Sequence, residues 1–261
     1  MKIWTVDAFT DKPFAGNPAA VTIVENFPTN DRCQKIATEM NLSETAFLKP
    51  LGPDHFHIRW FTPEVEVKLC GHASLAAAHI LFEEMSIKGK NITFDSLSGP
   101  LFVKKEGTDI ILDFPLQKTG EALPLHPFEE LFEHGTILNA VQAYDDVIVE
   151  LKDETLVRKL NLDPLKVKKI ECRALIVTAK GNHPYDFVSR MFAPRVGINE
   201  DPVCGSAHCK LPDYWQKKLK KDEFLAYQAS SRGGVLDVSI LGDRVHLKGK
   251  ATTIMEGKLR V

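Results

Sequence analysis

The sequence predicts an α+β fold of two pseudo-symmetric halves, each a β-barrel-like layer wrapped around one central helix. Three observations support this prediction: motifs that recur about half a chain length later, an alanine-rich apolar segment, and strand patterns paired around tight turns. The chain has 261 residues, and single hydrophobic cores stop growing at roughly 250–300 residues. We therefore expect two domains, residues 1–117 and 118–261, with the chain end as the segment that could cross back to the first half.

The recurring motifs form three landmarks in the same order. Arg59–Pro63 is matched by Arg190–Pro194 at an offset of 131 residues, and Cys70–Ala73 is matched by Cys204–Ala207 at an offset of 134. The third landmark, at an offset of 135, pairs Ser96, Gly99, Leu101, Val103 and Gly107 with Ser231, Gly234, Leu236, Val238 and Gly242. Offsets this constant, each close to half of the chain, indicate an internal duplication.

Local patterns give each half the same elements. Ile58–Phe61 alternates like a strand and ends before a proline. Cys70–Phe82 is rich in alanine and has few charges, which predicts a buried helix. Strand patterns flank short turns and predict hairpins, Leu101–Val103 with Ile110–Phe114 and Val235–Val238 with Val245–Leu247.

Composition excludes several function classes. The 33 Lys and Arg residues against 35 Asp and Glu residues leave a charge of -2, so no basic field exists to attract nucleic acid or anionic lipid. No stretch approaches the ~20 apolar residues of a membrane helix.

Asp7 stands where a signal peptide would have its apolar run, which predicts a cytoplasmic protein. In that compartment the five cysteines stay thiols, each of them a core residue, a ligand or a catalyst.

The duplication places a Cys-Gly-X-Ala motif at the start of each central helix. The first turn of a helix has unpaired N–H groups and the positive end of the dipole, so it binds carboxylates and favours thiolates. If a pseudo-two-fold axis relates the halves, the two helix starts converge and present Cys70 and Cys204 to one small acid. That arrangement would suit a racemase.

Glu44 is the other candidate base. It lies in Asn41–Leu48, where polar residues lead into a strand-like apolar run that has no copy in the second half. A carboxylate that loses water at such an edge moves toward the range useful for proton transfer at neutral pH. An exposed turn after a helix at Asp31–Met40 accounts for the same residues equally well.

Other cysteines and histidines have simpler interpretations. Cys33 and Cys172 are expected in the core. Cys204, His208 and Cys209 have helical spacing and could bind zinc, but no C-x-x-C pair accompanies them, so no metal is expected. Cys70 and His72 are two residues apart on a predicted helix and should not face each other, which argues against a hydrolase dyad.

The chain resembles the phenazine-biosynthesis isomerase (PhzF-like) family. The motifs that carry the resemblance occur in order along the chain: Val6–Thr10, Pro13–Val21, Asn41–Leu48, Arg59–Pro63, Leu69–Ala73, Glu200–Val203, Gly205–His208 and Arg232–Gly234. This family is similar in fold to diaminopimelate epimerase, with two pseudo-symmetric halves and an active site in the cleft between them. The resemblance therefore implies the same architecture as the duplication.

The resemblance also implies a function, the isomerisation of a small carboxylic-acid metabolite by proton transfer without a metal or an organic cofactor. Glu44 would move the proton, and His72 and Asp201 would line the site. The implied substrate-binding residues are Asn17, Gly71, Ala73, Gly205 and Ser206. The expected partner is a small carboxylate-bearing metabolite, and a homodimer would agree with the family.

Two departures from the family pattern keep alternatives open. Cys204 replaces an expected threonine, and with Cys70 it restores the cysteine pair of the related epimerases. Two acid–base groups on opposite faces of a carbon invert a stereocentre, whereas one shuttling carboxylate usually moves a double bond. Lys68 replaces a common acid, which weakens transfer of the substrate by analogy. A two-thiol racemase or epimerase and a non-catalytic metabolite- or protein-binding module therefore remain as alternatives.

Overall fold

The computed structural model describes residues 1–260, which divide into two compact units. The first unit contains Met1–Phe114 together with the chain from His246 onward, and the second contains Pro115–Val245. The second unit is thus one continuous segment, whereas the first is completed by the end of the chain.

The first unit consists of a sheet and two helices. Its strands are β1 (Lys2–Ala8), β2 (Asn17–Ile23), β3 (Glu44–Pro50), β4 (His55–Phe61), β5 (Glu66–Val67), β6 (Asn91–Ser96), β7 (Gly99–Glu106), β8 (Asp109–Pro115) and β17 (Ala251–Lys258). Its helices are α1 (Asn30–Met40) and α2 (Gly71–His79), and α2 continues into a π-helical turn (Ile80–Glu84). The strand order is β17-β1-β2-β3-β4-β6-β7-β8, with β5 paired to β4.

The second unit repeats this plan. Its strands are β9 (Ile137–Ala143), β10 (Asp146–Leu151), β11 (Leu175–Lys180), β12 (Phe187–Ala193), β13 (Ile198–Asp201), β14 (Glu223–Gln228) and β15 (Gly234–Leu241), and β16 (Arg244–Gly249) leads the chain back to the first unit. Its helices are α3 (Glu154–Arg158), α4 (Pro164–Val167) and α5 (Leu211–Leu219), and its 3₁₀ turns are His126–Phe128, Pro194–Val196 and Ala207–Cys209. The strand order is β9-β10-β11-β12-β14-β15, with β13 paired to β12.

The direction of pairing confirms the predicted duplication. In the first unit β2 pairs parallel to β3 and β4 parallel to β6, and the other pairs are antiparallel. In the second unit β10 pairs parallel to β11 and β12 parallel to β14 in the same places. The α+β class and the pseudo-symmetric halves predicted from sequence are therefore observed.

Helix α2 is the predicted buried helix of the first unit. Every residue from His72 to Ala78 is buried, so the helix is covered on all sides. It packs against β1, β2, β3 and β17, and its alanines allow that close approach. In the described part of the chain, no helix has both the length and the apolar character needed to cross a membrane.

The second helix begins later than the repeat predicts. Cys204–Ala207 was expected to open a helix as Cys70–Ala73 does, but Ala207–Cys209 is a 3₁₀ turn and α5 starts only at Leu211. Pro212 explains the difference, because it has no N–H to donate to the carbonyl of His208 four residues earlier. A proline in the first helical turn is tolerated, so the regular helix begins there.

The first landmark of the repeat has a structural explanation in both units. Arg59 Nε and Nη2 each lie 2.7 Å from an oxygen of Glu66. Arg190 makes the same two contacts to Glu200, at 2.6 and 2.8 Å. Bidentate pairs of this kind fix geometry as well as adding energy, and they tie β4 to β5 and β12 to β13.

Candidate active site

The buried polar residues of the first unit meet at one edge of its sheet. Asn17 is the first residue of β2 and Glu44 the first of β3. These strands run parallel with Ala19 opposite Glu44, so both polar side chains lie at the edge where the strands begin. The open choice between a buried strand edge and an exposed turn is thereby decided, since Glu44 is buried.

The loop before Asn17 has a backbone that only glycine can follow at Gly16. Its φ is +64°, and an added Cβ would lie 2.1 Å from the carbonyl oxygen of Ala8. The buried carboxylate of Asp7 holds the same loop by accepting the N–H of Phe14 at 2.8 Å. The chain is thus turned sharply into β2, with Asn17 at a defined place.

Asn17 connects the two strand starts to helix α2. Its Oδ1 accepts the hydroxyl of Ser43 at 3.0 Å, and its Nδ2 lies 3.0 Å from Nδ1 of His72. An amide NH₂ can only donate, so Nδ1 acts as the acceptor and a neutral imidazole carries its proton on Nε2. This tautomer is inferred from the hydrogen-bond network.

His72 presents that Nε2 to Glu44. The distance from Nε2 to Oε2 of Glu44 is 3.0 Å, and both side chains are buried. The contact is short but poorly aligned for a hydrogen bond, and catalytic contacts often become aligned only when substrate binds. The structure therefore brings together three of the predicted site residues, Asn17, Glu44 and His72.

Cys70 joins this cluster, contrary to the expectation from helical spacing. Its Sγ lies 3.6 Å from Nδ1 of His72. The rule that residues two apart on a helix do not face each other fails here because Cys70 is the N-cap of α2, with φ −144° and ψ 117°. An extended residue does not follow the helical lattice, so its side chain can turn toward the first turn.

The same cluster contains candidate metal ligands. One ligand atom from each of Glu44, Cys70 and His72 lies within 4.8 Å of the others. However, Cys70 approaches Nδ1 of the imidazole and Glu44 approaches Nε2, and the lone pairs of these nitrogens diverge. The order thiol, imidazole, carboxylate suits proton transfer better than a cage around one ion. Elsewhere in residues 1–260, Cys204, His208 and Cys209 do not form such a ligand group.

The remaining predicted residues of the first unit lie next to this cluster. Gly71 is the first residue of α2 and is half-buried, and Ala73 is buried two positions later. Both belong to the first helical turn, whose N–H groups have no partner within the helix. They could therefore donate to a bound carboxylate.

The second unit holds Asp201, Cys204, Gly205 and Ser206 in one segment. The buried side chain of Gln228 fixes this segment, because it donates to the carbonyl of Asp201 at 2.6 Å and accepts the N–H of Cys204 at 2.9 Å. Sγ of Cys204 lies 3.2 Å from Oγ of Ser206. Burial, reinforced by Asp201, raises the pKa of the Cys204 thiol although Arg173 opposes the shift.

Arg173 and the charges around it were missed in the sequence. Arg173 Nη2 donates to Oγ of Ser206 at 3.2 Å and contacts Oδ2 of Asp146 at 2.5 Å, while Nε lies 2.9 Å from Asp145. Lys210 contacts both aspartates. Asp146 could have been found from the sequence, because it is a charged residue at the start of an apolar strand, as Glu44 is. Arg173 could not, because its role depends on contacts with residues more than twenty positions away in the sequence.

The two units share the same fold but have different functional side chains at equivalent positions. Asp146 occupies in β10 the place that Asn17 has in β2, and Ser206 occupies the place of His72 in the repeated motif. The first unit has a carboxylate and an imidazole in contact, and the second has a guanidinium and a hydroxyl. A carboxylate and an imidazole can pass a proton between them, whereas a guanidinium keeps its protons in proteins.

His208 makes the stability of the second unit depend on pH. It is buried, its Nδ1–H donates to the Cys204 carbonyl at 2.8 Å, and its Nε2 has no hydrogen-bond partner among the described residues. Burial lowers the pKa of His208 from 6.5 to about 4, so the folded protein favours the neutral ring. Stability is complete above pH 6.5 and should fall as the pH drops toward 4, by up to about 1.4 kcal/mol per pH unit.

Urea unfolding between pH 4 and 7 measures this effect. His208→Gln should flatten the pH dependence, whereas exposed His134→Gln should leave it unchanged. An unaltered slope in His208→Gln would show that other groups cause the acid sensitivity.

Comparison with known proteins adds the family. A family model described as phenazine biosynthesis-like protein matches residues 6–257. The chain belongs to this family. A relative from Halalkalibacterium halodurans, named an uncharacterized isomerase, is 46% identical over 98% of this chain and 97% of its own length. Phenazine biosynthesis-like domain-containing protein 1 of Mus musculus is 42% identical, with 99% of each chain covered.

Solved structures agree with this membership. The crystal structure of a PhzF-family phenazine biosynthesis protein from Enterococcus faecalis aligns with a TM-score of 0.92 and 42% identity, covering 100% of this chain and 99% of that one. A hydroxyproline epimerase from Agrobacterium vitis has the same fold at 12% identity, with a TM-score of 0.66 over 99% and 90% of the chains. The predicted PhzF-like membership and epimerase-like fold are confirmed, and the chain is an isomerase, the class that its relatives' names carry.

Proposed function

We propose that the protein is a cofactor-independent isomerase that moves a proton on a small carboxylic-acid metabolite, with Glu44 as the acid and base. The observation that supports this most directly is the buried contact between Glu44 and His72, held by Asn17. A carboxylate that has lost most of its water and faces an imidazole N–H can accept a proton from carbon and return it.

In this proposal Glu44, His72 and Asn17 each have one task. Glu44 takes a proton from one carbon of the substrate and delivers it to another. The Nε2–H of His72 steadies the carboxylate as its charge changes, and Asn17 keeps that proton on Nε2. Because the side chains are buried, their electrostatic effects on the reacting atoms are stronger than they would be in water.

Substrate binding is assigned from the resemblance and from local structure. Gly71 and Ala73 offer first-turn N–H groups of α2 to a substrate carboxylate. Asn17, Gly205 and Ser206 remain substrate-binding residues, and Asp201 remains a polar partner, as the family motifs imply.

The two-thiol alternative has less support. Burial raises the pKa of the Cys204 thiol, so the thiolate that would remove a proton is disfavoured. Cys70 contacts His72, which could equally assist Glu44. The single-carboxylate mechanism therefore accounts for more of the observed contacts.

Exchange of substrate hydrogens with solvent tests the proposal across a range of candidate acids. The protein is incubated in D₂O with a panel of small amino, hydroxy and unsaturated carboxylic acids, and loss of C–H signal is followed by NMR. At least one acid should exchange a hydrogen only when enzyme is present. An acid that raises the melting temperature but shows no exchange would contradict the proposal and favour the binding module.

A further inference from the structure

We propose that Arg173 and Ser206 form a carboxylate-binding site on the second unit, with Nη1 of the guanidinium and the hydroxyl of Ser206 as its two donors. The inference rests on the proposed function for the class of ligand, a small carboxylic acid. It deepens that function, because Ser206 enters it only through the family resemblance and Arg173 does not enter it at all.

The backbone holds Arg173 in place just before β11. Its N–H donates to the carbonyl of Asp145 at 2.8 Å, and the next residue, Ala174, accepts the N–H of Val147 at 3.0 Å. From there β11 runs parallel to β10, with Leu175 opposite Val147. The side chain of Arg173 therefore starts from a fixed point at the end of the sheet where these two strands begin.

Two aspartates orient the guanidinium. Nε of Arg173 lies 2.9 Å from Oδ2 of Asp145, and Nη2 lies 2.5 Å from Oδ2 of Asp146. Because the guanidinium is planar and its donors have fixed directions, two such contacts also set the direction of its remaining N–H groups. Lys210 contacts both aspartates, so it balances one of their two negative charges and Arg173 balances the other.

The donors of Arg173 are not all used within the protein. A guanidinium has five N–H groups. Nε and Nη2 serve the two aspartates, and Nη2 also donates to Oγ of Ser206 at 3.2 Å. None of the hydrogen bonds of Arg173 within residues 1–260 uses Nη1. Since the side chain is 31% exposed, a ligand can reach this nitrogen.

The hydroxyl of Ser206 supplies the second donor. Its Oγ accepts from Nη2 of Arg173, and Sγ of Cys204 lies 3.2 Å away. Burial raises the pKa of the Cys204 thiol, so the thiol keeps its hydrogen and can donate to the same oxygen. The hydroxyl hydrogen is then left for a ligand, and a carboxylate oxygen accepts it better than sulfur does. Ser206 is half-buried and therefore accessible.

The duplication supports a role in the site rather than in the fold alone. In the first unit Glu44, at the start of β3, contacts His72 of the recurring motif. In the second unit Arg173, just before β11, contacts Ser206 at the same place in that motif. Strands β3 and β11 are equivalent, because each pairs parallel with the preceding equivalent strand. The pair that would bind the acid thus has the same place in its unit as the pair proposed to move the proton.

The test measures how tightly the full-length protein binds the panel of small carboxylic acids, each compared with its carboxamide. NMR titration gives the dissociation constant, and the exchange rate gives KM and kcat for an acid that exchanges. Arg173→Lys keeps the charge but loses the fixed set of donors. The dissociation constant and KM for the acid should rise at least about tenfold, and by more than kcat falls. The carboxamide should bind wild type more weakly and respond less to the substitution.

Two further variants separate recognition from a structural role. Ser206→Ala should also weaken binding of the acid, and the double variant with Arg173→Lys should lose less than the product of the two single losses, because both donors serve one carboxylate. Arg195→Lys is the matched control, since Arg195 is an exposed arginine of the same unit that donates to backbone carbonyls. It should leave the affinity within about twofold of wild type.

Several results would overturn this inference. A folded Arg173→Lys that binds the acid as tightly as wild type would show that Arg173 is only structural, and so would a lower melting temperature with unchanged KM. A wild-type protein that binds none of the acids would also reject the site. If Arg173→Lys fails to fold, phenylglyoxal labelling of wild type replaces it. The acid should then protect Arg173 but not Arg195 in peptide maps, and equal labelling of Arg173 with and without acid would contradict the inference.

This inference and the proposed function can fail separately. Weaker binding of an acid by Arg173→Lys, with no hydrogen exchange in any acid, would reject the isomerase proposal alone. Exchange by wild type with the same KM in Arg173→Lys would reject the carboxylate-binding site alone.

Discussion

Replacing Glu44 by glutamine is expected to lower the rate of substrate proton exchange by about 10²–10⁴-fold. Glutamine has nearly the same size and can still contact His72, but it cannot take up a proton. The rate of deuterium incorporation into the exchanging acid measures the effect. The thermal unfolding midpoint should change little, since the substitution keeps the buried volume at the start of β3.

The matched control is Glu25→Gln, which removes an exposed carboxylate from the same unit. It should leave the exchange rate within a few-fold of wild type. If Glu44→Gln behaved like this control, Glu44 would not be the acid and base, and the thiols would become the leading candidates.

Removal of the Asp146 carboxylate in Asp146→Leu should lower the free energy of unfolding by about 3–5 kcal/mol. This is the largest effect on stability among the substitutions considered. Asp146 has 0% exposure and contacts both Lys210 and Arg173. Burial raises the pKa of Asp146 although both cations oppose the shift. Holding this carboxylate in the core is therefore costly in itself, and the loss in the variant comes mainly from the buried ammonium of Lys210, which keeps only the more exposed Asp145 as its partner.

A double-mutant cycle separates these contributions. Asp146→Leu with Lys210→Met removes both buried charges and leaves Arg173 paired with Asp145. Urea unfolding should show that the double variant loses less stability than the two single variants together. A fully additive result would mean that Asp146 and Lys210 do not interact energetically.

The architecture could be predicted from the sequence because the duplication is visible as short motifs that recur at a nearly constant offset. The offsets of 131 to 135 residues correspond to strands with the same pairing directions. The helix after Cys70 was predicted because an alanine-rich segment with few charges is typical of a buried helix. The later start of α5 was missed because Cys204–Ala207 was compared with its copy, while Pro212, eight residues downstream of Cys204, decides where the helix begins.

The candidate site was predictable only in part, for a different reason. Glu44, His72 and Asn17 stand out as polar residues at the starts of apolar elements. The contact of Cys70 with His72 was wrongly excluded because helical spacing was applied to an N-cap residue in extended conformation. Arg173 and Lys210 acquire their roles from pairings distant in sequence, which no local pattern reports.

The return of the chain end to the first unit has a consequence for biosynthesis. β17 pairs along the whole of β1, so one edge of β1 has no neighbour until Ala251–Lys258 has left the ribosome. The second unit is a continuous segment and can finish folding earlier. The nascent chain therefore carries an unfinished N-terminal sheet until β17 emerges, and its open edge is where chaperones would be needed most.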